Sequence, residues 1–299
     1  MLRRTTILLI ALTMAATPLC TIAQTPELPL PQVPASLREP AARAAYIIEH
    51  FWDAMDFSDR SRTLDDAFME QTFSNFVSVF PYAAEDARRR AAERVMKAAS
   101  VDREAYLKLA AVAEKYLWET DSPLKSEDFY IPFLEHIAAS LPAGDYAAIR
   151  YRYQLEAARK NRPGALASDF AYVDRTGRSA MLRKTPAKGR MLLIFYDPDC
   201  EHCQDVMASL RDDAALSQMV ADGGLKVLAL SVSDDRALWE QTARQLPEAW
   251  TVGIVTSDIL ETQRYVLRSM PTLYLLDADK RIILKEPSVA EVVEYMGSR

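Results

Sequence analysis

The stretch that decides the fold is Arg190–Val206, RMLLIFYDPDCEHCQDV. An apolar run climbs to Phe195 and Tyr196 and breaks at Asp197-Pro198, as a buried strand does on leaving a sheet. Two cysteines follow, Cys200 and Cys203, with Glu201 and His202 between them. If a helix begins at Cys200, Cys203 lies one turn along it and within reach of a disulfide. The amides of the first helical turn then favour negative charge on the Cys200 sulfur. The thiolate is the nucleophile, so this order makes Cys200 the attacking and Cys203 the resolving thiol. His202 places a donor or cation beside the pair and is read as tuning that thiolate.

Outward from this stretch, strands and helices alternate. FAYVDRTGR (Phe170–Arg178) reads as a strand entering a turn at Thr176-Gly177, and LKVLALSV (Leu225–Val232) as a strand covered on both faces. Helices are expected from Cys203 to Val220, over RALWEQTARQL from Arg236 and over DILETQRYVL from Asp258, with the short strand WTVGIV before the last of these. TLYLLDADKRIILKE folds as a hairpin turning at Asp277 to Lys280, and SVAEVVEYM closes the chain as a helix. This pattern describes an α/β domain with a mixed central sheet.

The first half is different. Of the eight glycines only Gly144 precedes Gly164, so the half is poor in turn residues and reads as helical. Ala44, Ile48, Phe51 and Met55 recur with helical spacing, as do Tyr106, Leu109, Ala113 and Tyr116. About six helices are expected, with breaks near Pro81, Asp121–Pro123 and Leu141–Asp145. The fold class is therefore α + α/β, an all-helical N-terminal domain followed by a C-terminal domain built on a mixed sheet.

Arg3-Arg4, the apolar run Ile7–Ala16, and Thr21 and Ala23 ahead of Gln24 read as a cleavable export signal over residues 1–23. The run is too short for a retained membrane span. A lipid anchor at Cys20 is the rival, disfavoured by Leu19 before it. A proline-rich linker is expected over 24–34, the helical domain over 35–163 and the α/β domain over 164–299. Cleavage would make the formal charge of −6 two units more negative and leave Cys200 and Cys203 as the chain's only cysteines.

One close pair in an oxidising compartment is not a disulfide scaffold, so the pair serves local chemistry or a local staple. No basic stripe points to nucleic acid. Two cysteines and three histidines without a second pair do not suit zinc. No methionine or histidine cluster supports copper(I), and Gln204 stands where haem attachment needs histidine. No metal is expected, and no cofactor beyond a redox-active Cys200–Cys203 disulfide.

Residues 166–299 resemble the thioredoxin fold, specifically its TlpA-like envelope branch and the related peroxiredoxin-like (AhpC-TSA-like) proteins. LLIFYDPDCEHC corresponds to the strand and active-site segment, SMPT (Ser269–Thr272) to the cis-proline loop facing it, and Arg236–Thr256 to the helix and strand inserted before that loop. In the family the backbone beside the cis-proline pairs with an extended substrate segment. The resemblance thus implies Met270 and Pro271 as substrate contacts, and Tyr196 joins them as a candidate. EHFWDAMDFSD (Glu49–Asp59), YIPFLEHI (Tyr130–Ile137) and QLEAARKNRPG (Gln154–Gly164) resemble a helical domain of unknown function fused to thioredoxin-like domains in secreted bacterial proteins.

The resemblance implies a thiol–disulfide oxidoreductase of the periplasm or cell envelope. Its partners would be client proteins with thiols or disulfides, and a membrane or periplasmic electron donor or acceptor. The helical domain is left to select a partner or to form a homodimer. A histidine before the second cysteine accompanies oxidant and isomerase members, which leans toward a potential above the about −270 mV of thioredoxin. The rival class is a non-catalytic binding module.

Four positions depart from the family pattern. Asp199 replaces the usual tryptophan before the first cysteine. Ile194 stands where thioredoxin buries an aspartate, and Val206 where the TlpA-like branch often has glutamate. Asp197 holds the position of the threonine that peroxidatic sites require. Neither familiar acceptor for the Cys203 proton is present. Asp197, Asp199, Glu201 and Asp205 are the open candidates, and their charge opposes thiolate formation.

Overall fold

Side-chain caps divide the glycine-poor half into helices. Asp65, Asp102, Ser126 and Asp145 each accept a hydrogen bond from a first-turn amide and so satisfy donors that a helix start leaves unpaired. In the computed structural model, which describes residues 27–142, 144–256 and 259–298, these caps start four of six long helices, and one single turn accompanies them. They are α1 (Pro40–His50), the turn α2 (Arg60–Thr63), α3 (Asp66–Val77), α4 (Glu85–Ala99), α5 (Arg103–Leu117), α6 (Glu127–Ser140) and α7 (Tyr146–Arg159). The export signal read at 1–23, and Cys20 within it, lie outside the described residues. Leu28, in the proline-rich segment, is buried in the helical core.

That core is aromatic. Phe73, Phe76, Phe80 and Phe133 are fully buried and meet mostly edge to face, with Phe76 and Phe80 centroids 4.9 Å apart. Such pairs add about 0.5–1.5 kcal/mol each beyond their buried area.

The second half is one seven-stranded sheet. Its strands are β1 (Ala171–Asp174), β2 (Ser179–Met181), β3 (Arg190–Tyr196), β4 (Leu225–Ser231), β5 (Thr251–Val255), β6 (Thr272–Leu276) and β7 (Ile282–Lys285), in the order β2-β1-β5-β4-β3-β6-β7. β3, β4 and β5 run parallel, and the pairs β3–β6, β6–β7, β1–β5 and β1–β2 are antiparallel. The sheet is mixed, as the sequence pattern implies. β3 shows why its residues had to be a continuous apolar run. Leu192, Ile194 and Tyr196 enter the core on one face, and Met191, Leu193 and Phe195 the core on the other. Helices α8 (Glu201–Asp212), α9 (Ala214–Ala221), α10 (Arg236–Ala243) and α11 (Val289–Gly297) complete the domain.

Two local expectations are corrected. The single helix expected from Cys203 to Val220 is broken at Asp213, whose carboxylate accepts Leu216 N at 2.8 Å and starts α9 afresh. The helix expected over DILETQRYVL is a run of turns between Ile259 and Leu267, with Gln263 at φ 48°. Ile259 and Tyr265 both enter the core on the second sheet face. Six residues apart on a helix they would point about 240° from one another. The neighbouring Val266 packs instead against the helical core. The segment thus serves two cores with adjacent residues, Tyr265 and Val266.

The halves are joined by a cluster of partly buried charges. Arg268 bonds Glu286 at 2.5 Å and Glu127 at 3.3 Å, donates to the Trp118 carbonyl at 2.5 Å and lies 3.9 Å over the Trp118 ring. Lys285 pairs with Glu127 at 2.6 Å and donates to the carbonyls of Ala157 and Lys160 at the end of α7. Lys125 approaches Glu286 at 3.3 Å. Burial, the largest influence, holds Glu127 above the usual carboxylate range, against the opposing pull of Lys285 and Arg268.

Arg268→Ala should therefore cost about 3–5 kcal/mol in urea unfolding, since it leaves two carboxylates buried without their fork-shaped partner. Arg268→Lys should recover only part. Glu127 binds its proton more tightly folded than unfolded. Its contribution is thus fully favourable below its ordinary value of 4.5 and is lost as pH rises through the higher folded value. The stability difference between Glu127→Gln and wild type should shift in favour of the variant as pH climbs above 4.5.

Candidate active site

β3 delivers the chain to the edge of the sheet, where a turn closed by Cys200 N on Asp197 O (3.2 Å) leads into α8. Pro198 is buried, and its carbonyl is held by the Gln204 side chain at 3.0 Å. Cys200 is the N-cap of α8, and its sulfur accepts the Cys203 amide at 3.1 Å. A sulfur in the N-cap position receives the partial positive charge of the helix start, the placement the spacing implies.

The two sulfurs are unequal. Cys200 is half-buried, while Cys203 is only 1% exposed, and both are free thiols. Burial, first, and the hydrogen bond with Cys200, second, push the Cys203 thiol up. The Asp197 amide works the other way, and the charges of Cys200 and Asp197 add to the rise. The geometry separates a reachable sulfur from a sheltered, protonated one.

The loop expected to face the pair does so. The Cys200 thiol points at the Met270 carbonyl, 3.9 Å away, and the Met270–Pro271 bond is cis. Pro271 and His202 line a cavity of about 630 Å³ that is closed on its far side by the helical half, through Thr120–Pro123 and Lys125. His202 is exposed there, and no hydrogen bond joins it to either sulfur.

Tyr196 is 4% exposed and sits on the Cys203 side, lining a second cavity of about 290 Å³. Burial pushes its hydroxyl up to about 12. The Trp239 indole N–H lies beside that hydroxyl without meeting hydrogen-bond geometry. The structure thus brings Cys200, Cys203, Met270 and Pro271 to one edge, with His202 and Tyr196 facing different cavities. Among the described residues no group of three or more His, Cys, Asp or Glu could hold a metal, and no helix is long and apolar enough to cross a membrane.

A parallel-centred mixed sheet, a CxxC at the start of a helix and a cis-proline loop against it define a thioredoxin-like fold of the redox type. Comparison with solved structures agrees. A thioredoxin-like protein from Bacteroides caccae superposes with a TM-score of 0.82 at 28% identity, over 92% of this chain and 99% of that one, so the match spans both halves. A conserved protein of unknown function from Bacteroides fragilis matches at 36% identity and a TM-score of 0.43, over 45% of this chain and 98% of its own. The C-terminal domain of an uncharacterized protein from the same species matches at 30% identity and a TM-score of 0.44, over 46% and 98%. No curated protein matches. The helical half supplies the family: residues 11–161 match the domain of unknown function DUF5106, and the chain belongs to that family.

The inequality of the sulfurs is measurable. In full-length Cys203→Ser, Cys200 should be alkylated by iodoacetamide near neutral pH. In Cys200→Ser, Cys203 should stay largely unreacted until pH passes the ordinary thiol value of 9.0. Equal alkylation of the two variants at pH 7 would contradict the burial argument.

Proposed function

We propose that this protein is an exported thiol–disulfide oxidoreductase, exchanging disulfides with client proteins of the periplasm or cell envelope through Cys200 and Cys203. The observation that carries this reading is the setting of the Cys200 sulfur. It is reachable from solvent, capped by the Cys203 amide at 3.1 Å and opposed by the Met270 carbonyl. In this reading Cys200 forms or breaks the mixed disulfide with the client, and Cys203 resolves it. His202, the residue before Cys203, is the candidate for tuning the Cys200 thiolate. Met270 and Pro271 guide the client chain past the sulfur, and Tyr196 supports Cys203 from behind. No cofactor is required beyond the Cys200–Cys203 disulfide, which a membrane or periplasmic thiol–disulfide partner would reset. The helical domain fixes the loop carrying Met270 through Arg268, two residues earlier.

Equilibration of the full chain in thiol–disulfide buffers should show one two-electron transition at a potential above about −300 mV. Cys200→Ser should lower the rate of exchange with a small-molecule disulfide to the uncatalysed level. A pair that stays oxidised well below that potential would be a structural staple, and the reading would fail.

A further inference from the structure

The exchange reading leaves a proton without a destination. Cys203 is buried and protonated, yet it must attack as a thiolate. The strand position beneath it is Ile194, fully buried among the same apolar side chains, and Val206 offers no acceptor. His202 faces the other cavity. Tyr196, held up to about 12, keeps its own proton at neutral pH.

Of the four nearby carboxylates, Asp199, Glu201 and Asp205 are exposed. Asp197 alone is half-buried and shares with Cys203 the lining of the 290 Å³ cavity. Its backbone amide points at the Cys203 sulfur, and its carboxylate is near enough to act on it electrostatically. One carboxylate oxygen accepts the Asp199 amide at 3.0 Å, which orients the side chain and leaves the second oxygen outside that bond. Its other polar walls are Tyr196, Gln204 and Arg211 on the sulfur's side and Thr242 and Gln245 at the end of α10, and the rest of the lining, Met207 and Leu246 included, is apolar. Arg211 is engaged by Asp212 at 2.7 and 3.0 Å. Arg175, whose charge reaches Tyr196, is bonded to four carbonyls between Ala243 and Trp250. The wall is mixed, and its polar side chains together with a volume of about 290 Å³ leave room for hydrogen-bonded water.

We propose that Asp197 is the acceptor of the Cys203 proton, reached through water in this cavity, when Cys203 resolves the mixed disulfide. The inference rests on the exchange reading above. In the step, the Cys203 proton passes to the Asp197 carboxylate. The freed electron pair of the Cys203 sulfur forms the bond to the Cys200 sulfur. The bond from Cys200 to the client sulfur breaks, and the client leaves with its electron pair as a thiolate. The dithiol is oxidised by two electrons, the client disulfide is reduced, and the proton on Asp197 passes through water to solvent or to the departing sulfur. The reverse step, oxidation of a client, uses protonated Asp197 to return the proton to Cys203.

Full-length Asp197→Asn is the test, since asparagine keeps the volume and the bond to the Asp199 amide. Stopped-flow resolution of a preformed mixed disulfide on Cys200 should slow at least tenfold at pH 7, toward the about 10²–10⁴-fold that general bases supply. The rate should then rise tenfold per pH unit, with hydroxide as the base. In the Cys200→Ser background the same substitution should shift Cys203 alkylation to lower pH, because a negative charge is gone. A sulfur that ionises more readily yet resolves more slowly is an outcome that a purely structural role does not produce. Asp197→Glu should restore part of the rate, and Asp199→Asn should leave it within about twofold. A wild-type resolution rate and pH profile in Asp197→Asn would overturn the assignment while leaving the exchange reading intact. No exchange by the wild-type protein would overturn the exchange reading itself.

Discussion

Arg268 holds the two halves of this molecule in one arrangement, and the geometry of the candidate site depends on it. Its guanidinium spans Glu127 at the start of α6 and Glu286 at the end of β7, with Trp118 beneath it. Two residues later the chain reaches Met270, whose carbonyl meets the Cys200 thiol. An ammonium could not replace it, because the planar fork reaches two carboxylates and a carbonyl while stacking on indole. Burying so much charge has a cost, visible in Glu127, which is held above the usual range although two cations face it. Clusters of this kind give weak net stability, yet removing one partner is costly because it leaves a buried charge less well compensated. Here the loop tied in place is the one facing the Cys200 sulfur.

Much of the fold could be read from β3. A run buried on both faces, broken at Asp197-Pro198 and followed by CxxC, specifies a central strand, a sheet edge and a helix start. The Ser269–Thr272 loop was legible for the same reason, since it follows the βα units and opens a strand. The helix over DILETQRYVL was not, because its apolar spacing satisfies a helical template while Tyr265 and Val266 serve different cores. The contact of Val266 with the helical half is not visible in the segment's own spacing. Asp213 was likewise ambiguous: one aspartate in an amphipathic run reads equally as a solvated residue or as a cap.

The charge cluster had no signature in the sequence. Lys125, Glu127, Arg268, Lys285 and Glu286 are scattered over the chain and obey no period, and each reads as a surface residue until the two halves are docked. The same holds for the carboxylates around the pair. Four acidic residues within nine positions look equivalent in sequence, and burial against a cavity distinguishes one of them.

The first turn of α8 also sets a division of labour. Successive residues on a helix point about 100° apart, so His202 faces the cavity bounded by the helical half, while Cys203 and Gln204 face the cavity against α10. Cys200, at the cap, belongs to neither side alone. In the exchange reading, the client approaches from the side of Pro271, where the helical half forms the opposite wall, and the proton leaves on the other side. An acceptor at Ile194 would lie under the sheet edge in an apolar core. An acceptor at Asp197 lies where the strand ends and water can reach it. With the acceptor at the edge, the core beneath Cys203 can stay fully apolar, consistent with Ile194 and Leu192 packing there without a buried charge to satisfy.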